Sequence, residues 1–252
     1  MASKDKMKII EEAYKKRYGE WGDWASSRTN LVCGLLGKDK NFKSILDGAG
    51  YFPTSCILAE AYPDAKIITF NLFEDDTLHE FYSNIEHAKG DLTKLNYPEN
   101  HFDLVYLGEV IEHIYDLPAC FDGIKKVLKP NGYLAITTNN LASYHNRIEL
   151  LFGKCPSTYD ASPISHNPGR IKSLKKVYGD IKKAPLHEFH IRVFTIDLLF
   201  RYLRSNGFEI VRYKTFNQFS SGHRMKHLRR FLNLILPPFL KENVAVIAKN
   251  LK

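Results

Sequence analysis

Ile45-Leu46-Asp47-Gly48-Ala49-Gly50-Tyr51-Phe52 is the stretch on which the reading of the fold depends. An apolar run ends in an acid and two closely spaced glycines, and a helix-compatible stretch, Thr54–Tyr62, follows at once. A strand that passes through a glycine turn into a helix lets a ligand approach the backbone and aims the helix N-terminus at it. By itself the turn is equally compatible with a purely conformational role.

Outward from this point the same rhythm recurs. Short β-branched or apolar runs predict strands at Ser44–Asp47, Lys66–Asn71, Ile85–Ala88, Phe102–Gly108, Gly132–Thr138, Phe208–Lys214 and Val244–Lys249. Helices are expected at Thr54–Tyr62, Asp75–Tyr82, Leu117–Leu128 and Thr195–Asn206. Alternation of this kind implies an α/β fold, a doubly wound, mostly parallel seven-stranded sheet with helices on both faces. Upstream, Met7, Ile10, Ala13, Tyr14 and Arg17 recur at helical spacing, and Ser26 is placed to cap a second helix ending at Leu36. Residues 1–40 therefore read as a helical cover on a domain spanning 41–252.

Two insertions break the rhythm. Residues 141–189 contain Pro156, Pro163, Pro168 and Pro185 and a helical piece at Leu141–Phe152, which suits a lid or substrate-recognition element. Residues 220–240 contain a basic amphipathic helix and end at Pro237-Pro238. Along His223–Leu236, Leu228, Phe231, Leu232 and Ile235 share one face, with Arg224, Lys226, Arg229 and Arg230 largely elsewhere. That pattern serves core cover, peripheral membrane contact through 223–236, or a phosphate backbone.

Composition narrows the classes. With 252 residues, 44% hydrophobic and 25% charged, the chain is neither disordered nor fibrous. No apolar run is long enough to span a membrane, and Met1–Lys8 is too polar for a signal peptide. Cys33, Cys56, Cys120 and Cys155 form no Cys-x-x-Cys pair, so buried, reduced thiols and a cytoplasmic location are expected. The net charge of +8, concentrated after residue 140, favours acidic partners without choosing between nucleic acid and membrane. No RNA-binding module accompanies it, and nothing in the pattern specifies an oligomeric state.

Polar residues gather where the strands end. Asn71, after the second strand, can hydrogen-bond ribose hydroxyls, and Asp91, after the third, can accept from an adenine amine. Each has a plainer alternative, a turn for Asn71, a cap for Asp91 and a bend for Gly108. Glu109, Glu112 and His113 follow the fourth strand at i, i+3 and i+4, so a helical turn would bring them to one side. Such a trio can bind Mg²⁺ or another divalent ion, or His113 can act as general base with Glu112 beside it, or the three can be structural. His187 and His190 precede a helix capped by Thr195, and Arg192 can complement a carboxylate or phosphate. Asn139 and Asn140 end the fifth strand, with Tyr144 and His145 just beyond as candidate substrate contacts.

The run Ile45-Leu46-Asp47-Gly48-Ala49-Gly50, with Gly90-Asp91-Leu92, Phe102-Asp103-Leu104-Val105, Glu109-Val110-Ile111-Glu112-His113 and Leu128-Lys129-Pro130-Asn131-Gly132-Tyr133-Leu134, resembles class I S-adenosylmethionine-dependent methyltransferases. The later His190-Ile191-Arg192-Val193-Phe194-Thr195 and Ser205-Asn206-Gly207-Phe208 extend the resemblance over about residues 40 to 250. It implies that the last strand inserts antiparallel. It also implies that S-adenosylmethionine meets Asp47, Gly48, Ala49 and Gly50 at its methionine part, Asn71 and Leu72 at its ribose, Asp91 and Leu92 at its adenine, and Gly108 and Glu109 beside the methionine. The pattern departs from the family at three places. Gly48 follows Asp47 directly, Phe52 stands at the last glycine position, and Asn71 replaces the usual acid, with Glu74 available as a substitute.

The Glu-x-x-Glu-His run and His190, five residues before Thr195, further resemble a metal-assisted branch. That branch includes small-RNA 2′-O-methyltransferases and ubiquinone-pathway O-methyltransferases. The resemblance implies Glu109, Glu112, His113 and His190 as metal ligands. The activity expected is methyl transfer to a small-molecule acceptor, at a hydroxyl oxygen. RNA 2′-O-methylation with a divalent metal and a non-catalytic, cofactor-binding or scaffold role are the alternatives.

Overall fold

The computed structural model describes residues 8–9, 11–12, 23–37, 40–48, 50, 52–72, 81–159, 189–217 and 234–252. The expected helix Asp75–Tyr82 lies almost entirely outside these residues. So do Ala49, Glu74, His187, most of Lys4–Tyr18, the greater part of the 141–189 insertion and residues 223–233 of the basic helix.

The strands are β1 (Ser44–Gly48), β2 (Lys66–Asn71), β3 (Ile85–Lys89), β4 (Phe102–Gly108), β5 (Leu128–Asn139), β6 (Phe208–Phe216) and β7 (Asn243–Asn250). They form one sheet in the order β3-β2-β1-β4-β5-β7-β6, with β7 antiparallel to both neighbours and the rest parallel. The doubly wound architecture and the antiparallel last strand are thus present as expected. Burial explains why the central strands read as almost unbroken apolar runs, because helices cover both faces of the parallel part. In β7 the two faces separate by alternation. Val244, Val246 and Ala248 join one core, and Ala245 and Ile247 the other.

The helices are α1 (Asp23–Leu36), α2 (Phe52–Ala61), α3 (Leu117–Val127), α4 (Tyr144–Leu151) and α5 (Ile196–Ser205). Val32 and Cys33 of α1 and Leu58 of α2 pack on one face of the sheet, and Phe121 of α3 and Leu199 of α5 on the other. The Thr195 hydroxyl caps α5 as expected, accepting from Leu198 N, and Asp116 caps α3.

Three expectations change. Ser26 does not cap α1, which starts upstream of it at Asp23. Strand β5 begins at Leu128 rather than Gly132, and its register against β4 shifts between Phe102 and Leu104, where Asn131 adopts φ 62°. Cys33, Cys56 and Cys120 are buried, whereas Cys155 is exposed in the loop beyond α4. Among the described residues no helix is long and apolar enough to cross a membrane.

The candidate active site at the sheet switch point

Strand order reverses between β1 and β4, and α/β sheets bind ligands in the crevice this opens beyond the carboxyl ends of the strands. The register pairs Gly48 of β1 with Phe70 of β2 and Leu107 of β4, and Gly108 of β4 with Thr137 of β5. The residues after these pairs, Gly50, Asn71, Glu109 and Asn139, therefore share one rim.

On the β1 side Asp47 is buried and takes two hydroxyl hydrogen bonds on Oδ2, from Thr54 Oγ1 at 2.8 Å and Ser55 Oγ at 2.6 Å. Burial raises the Asp47 carboxyl to about 7, although both bonds favour its charged form. The glycines here are required by close approach. A Cβ on Gly48 would stand 2.6 Å from Leu107 Cδ2, and one on Gly50 2.7 Å from Asp47 Oδ2. Asn71 Nδ2 donates to the Gly50 carbonyl at 3.5 Å, tying the turn to β2, and Leu72 beside it is exposed. Asp91 acts as the cap of a short 3-10 turn, with Oδ1 accepting from Thr93 N and Thr93 Oγ1, while Leu92 is buried against the Gly48 position.

The Glu109–His113 run is a tight turn, with His113 N donating to Val110 O at 2.9 Å. It is not the helical turn expected, because Glu109 sits at φ 59°, in the left-handed region that starts no right-handed helix. The consequence is a division of labour. Glu109 Oε2 pairs with Arg28 Nη1 of α1 at 2.8 Å and accepts from Asn139 Nδ2 at 2.9 Å. Glu112 is fully buried and accepts from Thr138 Oγ1 at 2.9 Å and Asn139 Nδ2 at 3.4 Å. Burial first, and the charge of Glu109 second, push the Glu112 carboxyl well above the usual carboxylate range.

Glu112, His113 and His190 form one cluster, with a ligand atom from each lying within 4.8 Å of the others. The two imidazoles meet edge to face, with centroids 4.7 Å apart. Each donates its Nδ1–H to a backbone carbonyl, His113 to Phe189 O and His190 to Thr158 O, both at 3.0 Å. That selects the tautomer whose Nε2 carries the lone pair, the second-shell arrangement of metal-binding and general-base histidines. The expected ligand Glu109 is engaged by Arg28 and Asn139 and does not belong to this cluster.

The other expected contact residues have partners within the protein. Arg192 gives its guanidinium to the carbonyls of Ile114 and Tyr115, and its backbone N–H to Glu112 O, so it clasps the loop after β4. Asn140 is buried and binds the carbonyls of Phe239 and Lys241. Tyr144 and His145 turn towards Glu242 Oε1, at 3.4 and 4.0 Å. Of the two asparagines ending β5, only Asn139 reaches the carboxylates. Arg28, Thr54, Ser55 and Thr138 join the site without having been anticipated. For Arg28 there was a signal, since it is the lone cation in α1.

Residues 48–136 match the family model described as a methyltransferase domain. The chain has the class I methyltransferase fold. An S-adenosylmethionine-dependent methyltransferase from Archaeoglobus fulgidus superposes over 94% of this chain and 98% of its own, with a TM-score of 0.56 and 15% identity. The [4+2]-cyclase SpnF superposes over 89% of this chain and 81% of its own, also with a TM-score of 0.56 and 15% identity. The same fold therefore also carries a cyclase. In sequence, phosphoethanolamine N-methyltransferase 3 of Arabidopsis thaliana is 44% identical over 54 residues, which cover 21% of this chain and 11% of that protein. The matches to curated plant relatives span about a tenth of those proteins' length.

Proposed function

We propose that the chain is an S-adenosylmethionine-dependent methyltransferase acting on a small-molecule acceptor. The observation that carries this reading is the position of the Glu112–His113–His190 cluster. Glu112 and His113 follow β4, which pairs with β1 just before its glycine turn, and His190 joins them there, at the end of the sheet where α/β folds receive ligands. When bound, S-adenosylmethionine supplies a methyl group on a positively charged sulfonium. The residues present fit such a group. Glu109 Oε1 is buried with no hydrogen-bond partner among the described residues, and Asp47, Glu109 and Arg28 offer charges of both signs to a zwitterionic amino-acid end.

His113, with Nδ1–H held by the Phe189 carbonyl, presents Nε2 as the base that takes the proton from an acceptor hydroxyl. Glu112 and His190, in the same cluster, would orient the acceptor. The same three side chains also fit a divalent ion by donor chemistry, and such an ion would lower the pKa of a hydroxyl bound to it. An amine nitrogen is the second reading of the acceptor, favoured by the similarity to phosphoethanolamine N-methyltransferases.

Calorimetric titration with S-adenosylmethionine and S-adenosylhomocysteine, with and without Mg²⁺, tests the assignment. Micromolar binding is expected. His113→Ala should keep the affinity for S-adenosylhomocysteine while lowering turnover by about 10²–10⁴-fold. Folded protein that binds neither ligand would overturn the reading and leave a scaffold of the same fold.

A further inference from the structure

His113 and His190 reach one cluster from segments far apart in the chain, and their anchors differ. His113 Nδ1 is held by Phe189 O, in the segment that carries His190 itself, whereas His190 Nδ1 depends on Thr158 O, in the loop that follows α4. That loop folds back onto the helix. Gly153 adopts φ 66°, in the left-handed region that turns a chain out of a helix, and Lys154 N donates to Glu149 O at 2.8 Å. Two α4 side chains, three residues apart and so on one side of the helix, receive the returning chain. Glu149 Oε2 accepts from Ser157 N at 2.7 Å, and Asn146 Nδ2 donates to Thr158 Oγ1 at 2.8 Å.

Asn146 is the joint of this arrangement. It is fully buried, and the same Nδ2 faces the carbonyls of Asn140 at 3.2 Å and Leu141 at 3.0 Å, where the chain leaves β5. Carbonyls can only accept, so these two fix which way the amide points. Its Oδ1 is left buried with no hydrogen-bond partner among the described residues, a cost that an apolar side chain of similar size would avoid. The other side of the cluster is tied to the same strand end, because Thr138 Oγ1 and Asn139 Nδ2 reach the Glu112 carboxylate at 2.9 and 3.4 Å. The end of β5 therefore places Glu112 directly, and His190 by way of Asn146 and Thr158.

We propose that Asn146 is a positioning residue for His190, setting through Thr158 the carbonyl that fixes the tautomer of the imidazole and its place beside Glu112 and His113. What this does for turnover rests on the methyl-transfer reading, whereas the tautomer does not. Without an acceptor held at Nδ1, the proton is free to move to Nε2, and the cluster loses the lone pair that nitrogen offers.

NMR of the ring nitrogens in the full chain, labelled with ¹⁵N-histidine and free of cofactor and acceptor, reads each tautomer at a pH where the imidazoles are neutral. His113 is the internal control, since its acceptor is Phe189 O. Thr158→Val, which deletes the hydroxyl and keeps the shape and the carbonyl, and separately Asn146→Ala, should each give His190 a mixture of tautomers while His113 keeps Nδ1–H. Thr158→Ser, which keeps the hydroxyl, should retain the wild-type signals. Turnover by the first two variants should fall about 10–100-fold, with the affinity for S-adenosylhomocysteine unchanged. An unchanged His190 in either folded variant would overturn the proposal, and Thr158→Val alone decides if Asn146→Ala does not fold. So would a change in His113 as large as that in His190, which would make Asn146 a support of the whole fold. A changed His190 tautomer in a protein that methylates no acceptor would uphold the positioning role and remove the methyl-transfer reading instead.

Discussion

Arg28 and Glu109 illustrate how one buried ion pair organises the site. Their side chains are 4% and 13% exposed, and Glu109 holds a left-handed backbone conformation that a glutamate does not favour. Removing the cation leaves an anion without its compensating charge in a low-dielectric place. Arg28→Met is therefore expected to cost about 3–5 kcal/mol in urea unfolding, and adding Glu109→Gln should recover most of the loss. Full recovery is not expected, because the Asn139 amide loses its charged acceptor as well.

Asp47 sets a pH dependence of defined sign. Its folded carboxyl is raised to about 7 from an ordinary value of 3.8, so between these values the folded state binds more protons than the unfolded state. The contribution of this residue is fully present at low pH and is lost as pH rises towards the folded value, by up to about 4 kcal/mol. Asp47→Asn should flatten the stability profile across that interval, read from urea midpoints at successive pH values. An unchanged slope would show that the carboxylate is better solvated by Thr54 and Ser55 than its burial implies.

At the scale of elements, the β1 turn is held open by contacts inside the protein. The Gly48 position has Leu107 Cδ2 at 2.6 Å and Leu92 Cδ2 at 3.1 Å, so Gly48→Ala must push apart two buried leucines. A destabilisation of about 1–3 kcal/mol is expected, measurable as a lower denaturation midpoint. Elements such as this were legible in the sequence because their causes are local. The apolar runs of β2 and β4 end where expected, and Thr195 caps α5 through a bond three residues away. Glu109 was not legible in the same way. Its partner Arg28 lies far upstream on α1, and its left-handed backbone angle breaks the helical spacing that groups it with Glu112 and His113 in the sequence. The partners of Arg192 and Asn140 were not legible for a related reason, since they are backbone carbonyls, which carry no signature in a string of side chains.

Over the whole molecule, the sheet divides two apolar cores, and one of its strands is attached through a single neighbour. Alternating Val and Ala residues let β7 serve both cores at once, while β6 touches the sheet through β7 alone. Chain order and spatial order therefore disagree, since β6 precedes β7 in the chain but lies outside it in the sheet. During synthesis, β6 would leave the ribosome with no edge to join, and the apolar flank of β5 would stay open until Asn243–Asn250 had followed. An interval of that kind exposes strand edges that can pair with other chains. A premature stop upstream of Asn243 would leave β5 with an open edge and β6 with no strand to pair with, a product expected to aggregate.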